Sequence, residues 1–215
     1  MAARRKKSDD KQRTDHPTGL QISQAAADVL KEMGPSGFHV DYVLERTGLT
    51  RGALYHHFVN VDDLIESALV LVYAEGIGRN VALLREVLAS ARTFEEFRDG
   101  IFAANEAYVR DADLVGVRRL RAHAMSLAGS SERFASLLAA EQQRLTDEYL
   151  SVISRAQREG WVRPDVDPHA LAVFVQAYSF GVIVDDIAEA HVDRDAWRSI
   201  IEAFFRGVVF PDERR

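Results

Sequence analysis

The sequence predicts an all-α fold, a small three-helix head followed by a larger helical bundle. Three observations carry that expectation. Apolar residues recur at helical spacing from Ile22 onward, no strand-like alternation of useful length follows Asp62, and helix-capping signals punctuate the chain. The composition agrees: 215 residues, 47% of them hydrophobic, with only 5 prolines and no cysteine. A chain of this size can bury a substantial core. Zero cysteine excludes disulfide frameworks, thiol catalysis, Cys-ligated zinc and iron–sulfur clusters, and it fits a reducing cytoplasm.

The first 16 residues are polar and read as a disordered basic arm, with no signal peptide. The head is expected over 17–61. Thr18 and Gln21 match a capping box, and Ile22, Ala25, Ala26, Val29 and Leu30 form one apolar face that Gly34-Pro35 brings to an end. Val40, Val43 and Leu44 face inward over a short second helix. Thr47-Gly48-Leu49 forms the turn, with Gly48 suited to the left-handed conformation. Thr50 is the expected N-cap of a third helix, whose buried side holds Leu54 and Phe58, four residues apart.

The remaining chain, 62–215, reads as one bundle of six or seven helices near 62–76, 79–90, 94–109, 113–127, 131–158, 168–189 and 195–208. Thr93 with Glu96 is a second capping box, Gly160 suits a helix C-terminus, and Asp167-Pro168 is an N-cap with a first-turn proline. The longest apolar run, Ala170 to Val184, is shorter than the roughly 18 residues of a membrane span, so it reads as a buried helix.

Two short helices joined by a glycine turn, the second with a bare outer face, make a helix-turn-helix. That outer face carries Arg51, Gly52, Tyr55 and His56. The Arg51 fork fits guanine N7 and O6 or a phosphate, and Gly52 lets the backbone come close to a groove. Tyr55, His56 and His57 can donate to phosphates, and Thr50 caps the helix whose N-terminus adds partial positive charge. Charge is distributed accordingly. Residues 1–60 hold nine Lys or Arg against seven Asp or Glu, whereas the whole chain has a net charge of −6. The cluster Arg4-Arg5-Lys6-Lys7 adds to a positive end on an acidic body.

The run Gly48-Leu49-Thr50-Arg51-Gly52-Ala53-Leu54-Tyr55-His56-His57-Phe58, with Asn60, Asp62-Asp63 and Leu64, resembles the TetR family of bacterial transcriptional repressors. The resemblance covers about residues 18–66 and a late segment, Gly160-Trp161 through Pro168-His169-Ala170. It implies a DNA-binding head on an α-helical ligand-binding and dimerisation body. Carried over by position, it implies that Arg51, Gly52 and Ala53 meet base edges. Tyr55 and His56 would touch bases or phosphates, and Thr50 and His57 phosphates. Two positions depart from the pattern: Val61 stands where the family usually has a phosphate-contacting lysine, and His39 where it usually has a Ser or Thr cap. Arg4 to Arg13 could compensate as a flexible basic arm.

In the body, the apolar helices near 168–189 and 195–208 are expected to form a four-helix interface with a second copy. Phe102, Asn105, Tyr108, Arg121, His123, Met125, Tyr149, Gln176 and Tyr178 are candidates for lining a small-molecule pocket. Arg121 and His123 would suit an anionic or hydrogen-bonding ligand, while Arg118 and Arg119 read as surface residues. The expected function is a cytoplasmic, homodimeric repressor that binds a near-palindromic double-stranded DNA operator and is released by a small-molecule effector. An activator or partner-controlled regulator of the same fold is the alternative, and a helical carrier or enzyme with a structural head is a further one. No phosphate loop, serine elbow or zinc spacing is present, so no enzyme, cofactor or metal is expected. His56 and His57 lie about 100° apart around a helix and cannot easily share an ion. Asp185-Asp186, with Glu189 and His191, reads as a solvated helix end rather than a metal site.

Overall fold

The structure, a computed structural model, describes residues 16–212, so the basic arm expected over 1–16 lies outside the described residues but for His16. All regular structure among the described residues is helical. The helices are α1 (Pro17–Met33), α2 (Val40–Thr47), α3 (Arg51–His57), α4 (Val61–Ser90), α5 (Phe94–Arg110), α6 (Asp113–Ala128), α7 (Glu132–Arg158), α8 (Pro168–Gly181), the single turn α9 (Ile183–Asp186) and α10 (Arg194–Phe204), which runs on as a π-helical turn over Phe205–Val209.

The chain divides into two compact units. One runs as far as Glu75 and takes in Arg119–Leu138; the other comprises Gly76–Arg118 and Ala139–Arg215. α4 runs across the boundary at Glu75.

In the first unit α1 and α2 close over a core of Ile22, Ala26, Val29, Leu30, Val43, Leu54 and Phe58, each almost inaccessible to solvent. Local chemistry sets the helix ends. Gly34 and Gly48 both take positive φ, at 69° and 67°, which glycine adopts without Cβ strain. Thr50 accepts the Ala53 amide, as the spacing implied. At the start of α1 the outcome differs from the capping box expected at Thr18. Pro17 occupies the first turn, and the preceding His16 is the cap, its Nδ1 accepting the Thr18 amide. Proline's fixed φ starts the helix one residue before the threonine could cap it.

Two elements were misdivided by sequence. The expected break between 76 and 79 is absent, and Gly76 and Gly78 lie inside α4. Each glycine costs a helix about 1 kcal/mol, but the burial of Tyr73, Ile77 and Val81 on the same rod outweighs it. Conversely, the single helix expected over 168–189 ends α8 at Gly181. The amides of Asp185 and Asp186 both turn back to the Val182 carbonyl. The Asp185 carboxylate then accepts the Val192 amide at 2.7 Å, which closes the loop into α10.

In the second unit Leu145, Tyr149, Ala172, Val209 and Phe210 form the core. Thr93 caps α5 and Asp167 caps α8, each through its side-chain oxygen, and Gly160 ends α7 with φ at 77°.

Candidate nucleic-acid interface and ligand cavity

α3 is only seven residues long, and its orientation follows from two side chains. Leu54 and Phe58 are buried at 0% and 1% exposure, which turns Arg51, Gly52, Tyr55 and His56 to solvent. Thr50 is exposed beside them, while Ala53 and His57 are partly covered. The sequence-derived reading residues are therefore gathered on one accessible face.

Gly52 is informative on that face. A Cβ built on it would meet only the Thr50 hydroxyl, at 3.8 Å. Nothing within the protein requires glycine there, although glycine weakens a helix.

Sequence reasoning missed two supports of this face. Arg51 is held from α2 by Asp41, an exposed ion pair that fixes one end of the guanidinium. Asp63, in the first turn of α4, is nearly buried and accepts the Val59 amide at 2.9 Å, directly after α3. Arg133 of α7 binds Asp63 and Glu66 together, and Ser131 also donates to Glu66. The Asp62-Asp63 pair was legible as part of the motif. Its partner, 70 residues away, carried no local signal. The helix-start departure at His39 is real: it caps α2 with no side-chain hydrogen bond. Among the described residues no group of three or more His, Asp or Glu could hold a metal ion.

The second unit contains a narrow cavity of about 50 Å³. Asn105, Tyr149 and Tyr178, expected from sequence, line it, together with Asn80, Leu84 and a wall from Phe97, Ile101, Val152, Ala156, Val175 and Phe210. Asn105 donates to the Tyr178 hydroxyl oxygen, and Asn80 donates to Ser179. Desolvation raises the Tyr178 hydroxyl from 10.0 to about 12, so it remains protonated.

The other candidates stand elsewhere. Phe102 packs with Phe205 and Phe210 under the Arg206 guanidinium. Tyr108 is buried but is not part of the cavity lining, and Gln176 is spent on Gln142 and Thr146. Arg121, His123 and Met125 belong to the first unit; Arg121 is buried over the Tyr73 ring, and Met125 is half-exposed. Arg121 and His123, expected to suit an anionic or hydrogen-bonding ligand, do not line this cavity. Helical spacing told which side chains turn inward but not against which neighbours.

Two further expectations are corrected. Arg118 does not face water: it is 2% exposed and forms a two-pronged pair with Asp186 at 2.5 and 2.8 Å. Asp186 is accordingly not part of a solvated helix end. A larger groove of about 290 Å³ lies beside α9 and the start of α10, among Val182, Val184, Val192 and Trp197. It is open, and it adjoins the most exposed apolar side chains of the unit.

Comparison with known proteins supplies the context for this arrangement. Residues 22–68 match the family model for bacterial regulatory proteins of the tetR family. The chain is 23% identical over 202 residues to the HTH-type transcriptional regulator UidR of Escherichia coli, covering 94% of this chain and 97% of UidR. Its fold is similar to that of GusR from Salmonella enterica, with a TM-score of 0.61 and 21% identity over 88% of this chain and 95% of that one. It is also similar to a TetR-family transcriptional regulator from Cytophaga hutchinsonii, with a TM-score of 0.63 and 16% identity over 90% and 95% of the two chains.

Proposed function

Given that this chain belongs to the TetR family of bacterial regulatory proteins, we propose that it is a cytoplasmic repressor that binds its operator as a dimer and leaves it when a small molecule enters the body. The observation that carries the reading is the outward face of α3. Arg51, Gly52, Tyr55 and His56 are presented by a short helix whose opposite side is locked into the core by Leu54 and Phe58. Arg51 supplies the donor fork for a guanine edge, and Tyr55 and His56 supply hydrogen bonds to bases or phosphates. Thr50 and His57 flank them toward the phosphates.

A dimer would present two such helices. Half-sites about one helical turn apart, roughly 34–36 Å, would make the operator near-palindromic. Support for the dimer comes from α8 to α10, where Val184, Ile187 and Ile200 are 71%, 72% and 64% exposed. Exposed apolar side chains on neighbouring elements are what such an interface would cover.

Release would be a population shift: a ligand that binds better to one arrangement of the dimer moves the equilibrium towards it. The size of the cavity supports such coupling. Small-molecule pockets usually measure about 300–1,000 Å³, so a ligand entering a space of about 50 Å³ must displace its walls.

The test is an Arg51→Ala/Tyr55→Ala double variant, assayed against DNA selected by the parent protein. Both side chains are exposed, so the fold should persist. Affinity should fall by about 1–3 kcal/mol for each lost base contact. Unchanged affinity would sink the assignment of α3 as the reading helix.

A further inference from the structure

We propose that the effector of this cavity is a neutral, mainly apolar molecule carrying one hydrogen-bond acceptor, which meets the Tyr178 hydroxyl. The inference rests on the reading above that this cavity takes the effector. Three observations carry it. Among the described residues that line the cavity none is charged, and most are aliphatic or aromatic. The polar groups present are two amides and the phenols. Asn80 is already engaged with Ser179, and Asn105 is engaged with Tyr178. Because Asn105 donates its N–H to the Tyr178 oxygen and Ser179 also hydrogen-bonds that hydroxyl, a ligand acceptor takes the phenol proton in place of Ser179.

A carboxylate or ammonium brought here would lose its hydration with no counter-charge to replace it, a cost that nothing in the wall offsets. A ketone, ether or neutral hydroxyl oxygen would lose far less and would gain a donor. Asn105 and Tyr178 come from α5 and α8, so an acceptor that inserts at this pair bears on both helices at once. The apolar remainder would lie along Ile101, Val152 and Val175, displacing side chains rather than breaking ion pairs.

The experiment titrates the full-length protein with two naphthalene probes. Prodan is a neutral ketone, and anilinonaphthalene sulfonate is an anion of similar breadth. Prodan should bind saturably, one per chain, and about tenfold or more tighter than the sulfonate. Ala156→Phe and Val152→Phe should each abolish the prodan signal by filling the cavity. Tyr178→Phe should leave prodan bound but shift its emission to the blue, as the hydrogen bond to the ketone is lost.

A readout on the unaltered chain guards against filling variants that fail to fold. Trp161 packs against Phe97, which lines the cavity, with ring centroids 5.0 Å apart. Its emission should therefore fall as prodan binds. Equal or tighter binding of the sulfonate, no saturable prodan signal, or prodan binding that leaves tryptophan emission unchanged would each overturn the proposal. Binding of selected DNA by the same samples without probe separates the two readings. If it persists, the DNA-reading function stands while this ligand class falls.

Discussion

Arg51 has a partner before any DNA arrives. Asp41, ten residues earlier, holds its guanidinium on the open face of the head. An exposed pair of this kind contributes little to stability, so its importance lies in placing the side chain and its charge. The carboxylate also sets a negative charge beside the surface that must approach phosphates. Replacing it, Asp41→Ala, should raise affinity for unrelated DNA sequences a few-fold at low salt, and the gain should shrink as salt rises. A filter-binding or anisotropy titration across salt checks this; equal or weaker binding at every salt concentration would contradict it. At this scale the sequence was partly transparent. That Arg51, Tyr55 and His56 face outward follows from Leu54 and Phe58 four residues apart. That Arg51 meets Asp41 depends on how a glycine turn brings two helices together, and no local spacing encodes it.

At the level of elements, the helix ends that sequence revealed were those governed by nearest neighbours. Gly34, Gly48, Thr50, Thr93, Gly160 and Asp167 each act within a few residues, and each ends or begins a helix as expected. The errors arose where distant packing decides. α4 runs through Gly76 and Gly78 because its buried side chains hold it, and α8 gives way to a turn at Val182 before the single turn α9. Asp186 shows the same dependence more strongly. Read as a solvated end, it forms a two-pronged pair with a guanidinium that is 2% exposed and ties α6 to α9. Asp186→Ala should therefore destabilise the protein by about 3–5 kcal/mol, because it strands a buried charge. Urea denaturation of parent and variant measures the difference. A change within experimental scatter would mean that Arg118 finds water or another acceptor.

For the molecule as a whole, the exposed apolar side chains on α8 to α10 are its least explained surface if it acts alone. Val173 and Phe174 on α8, Val184 on α9, Ile200 on α10 and Val208 on the π-helical turn after it all remain accessible. A Val184→Glu/Ile200→Glu variant should retain its helical circular dichroism and run as a monomer in light scattering, because neither side chain supports its own subunit. It should also lose most of its affinity for a two-half-site operator, since one head must then bind without the other. A variant that still weighs in as a dimer would place the interface elsewhere. The sequence made this face legible through its continuous apolar character. It left the cavity only partly legible, since six of the nine candidate residues lie outside its wall.

The first compact unit is assembled from two stretches of chain, one ending at Glu75 and the other spanning Arg119–Leu138. Anyone grafting this reading head onto a different sensor inherits that arrangement. A single junction after Glu75 would leave behind Arg133, the clasp on Asp63 and Glu66 next to α3. Hybrid regulators built from this protein need two splice points, or a substitute for that arginine, if the transplanted head is to keep its footing.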